Sequence, residues 1–104
     1  MNIQVRMDGP VVARDRLFPK IEAWIQKALA RVEQQVTRVE VHLSDLNGVK
    51  HGPDDRRCLI EARLAGLGPL AVEHRAPNYE LAARGAAEKL ERALETTIGK
   101  LRER

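Results

Sequence analysis

A chain of 104 residues, 43% of them hydrophobic and 32% charged, has room for one compact domain, expected to span residues 1–104, and its mixed charge excludes a disordered polyelectrolyte. The formal charge of +3 permits a polyanionic partner without demanding one. Cys58 is the only cysteine, which excludes an intrachain disulfide or a multi-cysteine zinc site; with no signal-like N-terminus and no apolar run near the ~20 residues that span a bilayer, the expected location is the reducing cytoplasm, away from any membrane.

Residues 1–7 alternate Ile3 and Val5 with Asn2, Gln4 and Arg6, the period of a half-buried strand, and Asp8-Gly9-Pro10 turns the chain. Over residues 14–35, Leu17, Ile21, Trp24, Ile25, Ala28, Leu29 and Val32 recur at three- and four-residue spacing, predicting an amphipathic helix that starts near Pro19 or holds it in the first turn. Three strands follow, over residues 37–46, 57–65 and 70–75, each with an apolar and a wet face. The first two are joined by a long polar loop carrying Asn47-Gly48 and Gly52-Pro53, the last two by a tight turn over residues 66–69. Asn78 caps a second helix reaching residue 101, whose Ala82, Ala83 and Ala86 let it lie close on the sheet while Gly85 and Gly99 each weaken it by roughly 1 kcal/mol. The expected fold class is α+β, ordered βαβββα, with two helices on one face of a four-stranded sheet.

Convergent catalytic groups are scarce. Cys58 lies in reach of no obvious base except His42 or His74, and its alternation with inward apolar residues makes it a small core side chain. Asp45, His51, Asp54 and Asp55 match no metal-loop spacing, and the glycines are turn residues, so neither a metal nor a cofactor is expected, and the chain is not read as an enzyme. Charge placement says more. Lys20, Lys27, Arg31 and, past the helix end, Arg38 fall at intervals of seven, four and seven, as if on one stripe; Lys89, Arg92 and Lys100 form a second, extended by Arg102 and Arg104. Two such ridges on neighbouring helices would hold phosphates, although Glu80, Glu88, Glu91 and Glu95 offset much of the second, and an ordinary solvated helix face reads similarly. Trp24 and Tyr79 sit on buried stripes, so backbone and shape recognition fits better than base stacking.

The whole chain resembles the ribosome hibernation-promoting factors and ribosome-associated translation inhibitors in their short single-domain form. The resemblance is carried by Met1-Asn2-Ile3-Gln4-Val5, by Lys27-Ala28-Leu29-Ala30-Arg31-Val32-Glu33, by Thr37-Arg38-Val39-Glu40-Val41-His42-Leu43-Ser44, and most specifically by Asn78-Tyr79-Glu80-Leu81-Ala82-Ala83 followed by Glu88-Lys89-Leu90-Glu91-Arg92-Ala93-Leu94. It implies a fold similar to double-stranded-RNA-binding domains, lodged in the messenger and transfer RNA channel of the small ribosomal subunit during stress or stationary phase, with Lys27, Arg31, Lys89 and Arg92 on ribosomal RNA phosphates. The implied partners are that subunit and its RNA; DNA, membranes and small-molecule substrates are not. The chain departs from the family pattern after Arg92, where Ala93-Leu94-Glu95-Thr96-Thr97-Ile98-Gly99 replaces a dense basic run, and in its long charged loop over residues 45–57. A protein-interaction module that keeps the fold and has left the ribosome is the competing reading.

Overall fold

The computed structural model describes residues 1–8, 14–46 and 55–102; Gly9 and Pro10 of the first turn and residues 47–54 of the polar loop, His51 and Asp54 included, lie outside the described residues. The elements are β1 (Ile3–Met7), α1 (Arg14–Ala28), a 3-10 segment (Ala30–Gln35), β2 (Val36–Asp45), β3 (Arg56–Leu64), β4 (Gly68–Ala76) and α2 (Tyr79–Arg102). The strands form one sheet in the order β1-β2-β3-β4, with β1 parallel to β2 and the other pairs antiparallel. The α+β order is the expected one.

Alternation along the strands decides which face is covered. Val39, Val41 and Leu43 of β2, and Cys58, Ile60, Ala62 and Leu64 of β3, are buried and share one core with Ile21, Ile25 and Leu29 of the first helical stretch and Ala82, Ala83, Ala86, Leu90 and Leu94 of α2. Each fully buried leucine or isoleucine contributes about 1.5–3 kcal/mol of hydrophobic stabilisation. The methyl side chains of Ala82, Ala83 and Ala86 let α2 lie close on β3 and β4. Asn78 caps α2: its Oδ1 accepts from the Leu81 N–H at 2.8 Å. Gly66 and Gly68 hold the turn between β3 and β4 at φ of 80° and 75°, where a Cβ is strained.

Three details depart from the periodic reading. The first helix does not run to residue 35: it ends at Ala28, Leu29 leaves helical geometry, and a 3-10 segment with Val32 at φ −126° follows. The tighter winding, about 2.0 Å per residue, lengthens the path that brings β2 back parallel to β1. Pro19 is the sixth residue of α1, inside the helix, so it forgoes one hydrogen bond; both Pro19 and Asp15, the residue one turn back, face solvent, which can satisfy the freed carbonyl. Finally, pairing shifts between Val36↔Leu64 and Arg38↔Arg63, leaving Thr37 as an extra residue in β2. Because of that bulge, Val36 and Val39 both face the core although they are three residues apart. The Thr37 hydroxyl ties it down by donating to the Arg63 carbonyl at 3.1 Å.

Candidate nucleic-acid interface

On α1, Lys20 and Lys27 are exposed, as is Arg31 in the 3-10 segment beyond. Their stripe faces the flank of α2 that carries Glu80, Glu88, Glu91 and Glu95. Lys20 Nζ donates to Glu80 Oε1 at 2.9 Å, and that hydrogen bond, with the lysine's charge, lowers the Glu80 pKa below the usual carboxylate value. Arg31 Nη1 stands 3.9 Å from Glu95 Oε1. Lys27 shares a groove of about 300 Å³ with Trp24, Arg84, Glu88 and Glu91, floored by Ala28 and Ala87, and the Arg84 guanidinium covers the half-buried Trp24 ring at 5.7 Å. Across this groove four cations (Lys20, Lys27, Arg31, Arg84) meet four carboxylates, so it presents little net charge to a polyanion.

The second stripe lies elsewhere. Lys89 is exposed on the opposite flank of α2, where its Nζ donates to the Glu73 backbone carbonyl of the edge strand β4 at 2.9 Å, and Arg92, three residues on, is exposed to solvent. Lys100 belongs to α2, but its side chain lies outside the described residues, as does Arg104. Arg38 is on neither stripe. With the helix ended at Ala28, it falls in β2 on the uncovered face of the sheet, beside Gln4 and paired with Glu40. The expectation of two adjoining cationic ridges is therefore corrected: α2 turns its acidic flank to α1 and its basic flank away, because its alanine face is on the sheet and the two flanks lie on opposite sides of that face.

The uncovered sheet face holds cations that helix-centred reasoning passed over: Arg6, Arg57, Arg63 and Arg75, with Arg38, His42, Glu40, Glu61 and Glu73 among them. The signal was present in the wet positions of the alternating strands, but the cross-strand register was not. That register places like charges opposite one another at Arg38↔Arg63, Glu40↔Glu61 and Arg57↔Arg75, an arrangement unfavourable for the sheet itself. Ion pairs relieve part of it, one diagonal between strands and one along β2: Arg57 Nε donates to Glu73 Oε2 at 2.7 Å, and Arg38 pairs with Glu40. At the loop base, Arg56 bridges Asp45 and Asp55 at 3.1 and 2.7 Å under the Tyr79 ring, whose hydroxyl pKa is raised by burial and by Asp45. Cys58 is fully buried and burial pushes its thiol up to about 12, which leaves no nucleophile at neutral pH. Among the described residues no group of His, Cys, Asp and Glu is placed to hold a metal ion, and no helix is long and apolar enough to cross a membrane.

A sheet with both helices on one face, a basic outer flank on α2 and no reactive centre among the described residues suits a binding protein. The chain belongs to the family described as Sigma 54 modulation protein / S30EA ribosomal protein, whose model matches residues 16–102. This is a ribosome-associated family of non-enzymatic modulators. The fold is shared with the crystal structure of the Protein Y N-terminal domain of Thermus thermophilus (TM-score 0.63, 22% identity, covering 93% of this chain and 99% of that one). It is shared equally with a ribosomal subunit interface protein from Coxiella burnetii (TM-score 0.63, 14% identity, 100% of each chain). No curated protein matches the chain.

Proposed function

We propose that this protein, acting as one domain in the cytoplasm, binds the small ribosomal subunit through RNA phosphates and inhibits translation by occluding the mRNA and tRNA channel under stress or in stationary phase. The supporting observation is that Lys89 and Arg92 project from the outer flank of α2 with no carboxylate partner among the described residues, within a chain of a ribosome-associated family. Phosphate binding there needs no bond-making: each contact releases condensed counterions and adds salt-dependent affinity. Lys27 has no carboxylate within ion-pair distance among the described residues and is the next candidate; Lys20, Arg31 and Arg38 would have to exchange an internal carboxylate for a phosphate, and Lys100 stays a candidate on its sequence position in α2 alone.

Sedimentation of a stationary-phase lysate tests this. The protein should migrate with small subunits or whole ribosomes at low salt and leave them as salt rises, and Lys89→Glu with Arg92→Glu should move it to the top of the gradient while its circular dichroism stays that of the wild type. Ribosome binding unchanged in the folded double variant would refute the assignment. A second reading, a protein-interaction module no longer tied to the ribosome, is favoured by the charge-balanced groove beside Trp24, and a wild-type protein confined to the top fractions at low salt would support it.

A further inference from the structure

We infer that the phosphate-binding surface crosses the β4 edge, running from Lys89 and Arg92 on α2 to Arg57 and Arg75 on the uncovered sheet face; the inference rests on reading the chain as an RNA-binding ribosome factor and adds two arginines to it. Continuity is the first ground. Lys89 Nζ sits 2.9 Å from the Glu73 carbonyl, while the carboxylate of that same residue takes the Arg57 guanidinium at 2.7 Å. An ammonium and a guanidinium thus reach one residue from the helix side and the open side of the sheet. Arg75 stands directly opposite Arg57 in the register, two residues beyond Glu73 and on its face. Arg92 lies three residues after Lys89, a rise of about 4.5 Å along α2.

Charge is the second ground. Among the described residues Glu73 is the one carboxylate paired with any of Arg57, Arg75, Lys89 and Arg92, and neither Arg75 nor Arg92 has an acidic ion-pair partner. Arg84 and Glu88, beside Arg75 at the top of the α2–β4 groove, offset each other. Two other clusters of described residues are balanced: the α1–α2 groove, which Arg84 and Glu88 also line, holds four cations against four carboxylates, and the far end of the sheet sets Arg38 and Arg63 against Glu40 and Glu61. A polyanion is drawn to the surplus, and the surplus is at the β4 edge.

The chemistry of the two arginines fits phosphate. Glu73 engages Arg57 through Nε and Nη2, which fixes the guanidinium plane and leaves the Nη1 hydrogens free to donate. Facing like charges cost the sheet stability, and a phosphodiester lying between Arg57 and Arg75 would remove that repulsion, so binding gains what folding gives up. The seam would follow a ribose-phosphate backbone without reading bases.

The test compares Arg57→Gln with Arg75→Gln, the single variant Arg75→Gln, and Arg63→Gln as a balanced-end control. Affinity for purified small ribosomal subunits is measured against salt, with folding checked by circular dichroism. Losing two phosphate contacts should flatten the slope of log affinity against log salt by about 1.4–1.8 and weaken binding roughly tenfold or more at moderate salt, with about half the slope change for Arg75→Gln and none for Arg63→Gln. An unchanged slope in the double variant, alongside lost binding in Lys89→Glu with Arg92→Glu, overturns the seam and leaves the ribosomal reading standing. Should the wild type not bind subunits, the ribosomal reading falls, and titration of a short RNA hairpin followed by amide chemical shifts decides the seam. Shifts at residues 57, 73, 75 and 89 support it; shifts confined to the α1–α2 groove, or none, overturn it.

Discussion

Gly85 sits mid-helix in α2, where helix propensity alone says that alanine would stabilise the protein by about 1 kcal/mol. The structure predicts the opposite sign. A Cβ added at Gly85 would lie 2.5 Å from His74 Nε2, 2.6 Å from Cγ and closer still to Cδ2, so the imidazole of the edge strand rests on the bare helix backbone. The ring is anchored to β4, and a methyl there must push it out of its place; overpacking of this kind costs typically 1–3 kcal/mol. Set against the propensity gain, Gly85→Ala should be destabilised by up to about 2 kcal/mol, and for a chain of this size each kcal/mol shifts the melting temperature by roughly 4–8 °C. Urea unfolding of wild type, Gly85→Ala, His74→Ala and the double variant isolates the clash. With the ring removed, Gly85→Ala should become stabilising by up to about 1 kcal/mol, giving a coupling of about 1–3 kcal/mol between the two sites. Equal effects of Gly85→Ala in both backgrounds would refute the reasoning whatever their sign.

Gly99, in the same helix, has open space around the position a methyl would take, with nothing within 4 Å, so Gly99→Ala should raise stability by a few tenths to about 1 kcal/mol in the same urea assay; a loss would mean a neighbour is crowded there. Cys58 should resist alkylation in the native protein at pH 8 and react once unfolded in urea, and prompt labelling of the native state would contradict its burial. Its raised thiol pKa also sets a pH dependence. The unfolded chain ionises near the ordinary thiol value of 9.0 and the folded one only near about 12, so the unfolded state binds fewer protons in between, and the Cys58 contribution, complete below pH 9, declines as pH rises towards 12. Cys58→Ala should remove that alkaline component in stability curves measured over this range.

Each strand and both helices were legible because their signals are local: alternation in β1 to β4, a three- and four-residue stripe in α1 and α2, and the Asn78 cap. The core followed from them, since an apolar stripe and an apolar sheet face have no other place to go. Misplaced features share a different origin. The break after Ala28 answers to the parallel pairing of β2 with β1, and the bulge at Thr37 to the need for Val36 and Val39 to face the same way. Neither constraint is visible within the segment it reshapes.

The candidate site divides along the same line. Composition and spacing by themselves determined that this chain would be a βαβββα protein with cationic side chains concentrated on exposed flanks and no catalytic apparatus in view. Which of those cations remain available was decided only when distant segments met: Lys20 with Glu80, Arg31 with Glu95, Arg57 with Glu73, and Lys89 with a carbonyl of the edge strand. The reason is electrostatic. A side chain's charge is written in its residue type, but the field it presents depends on what stands within a few ångströms, and for these residues those neighbours lie 16 to 64 positions away along the chain.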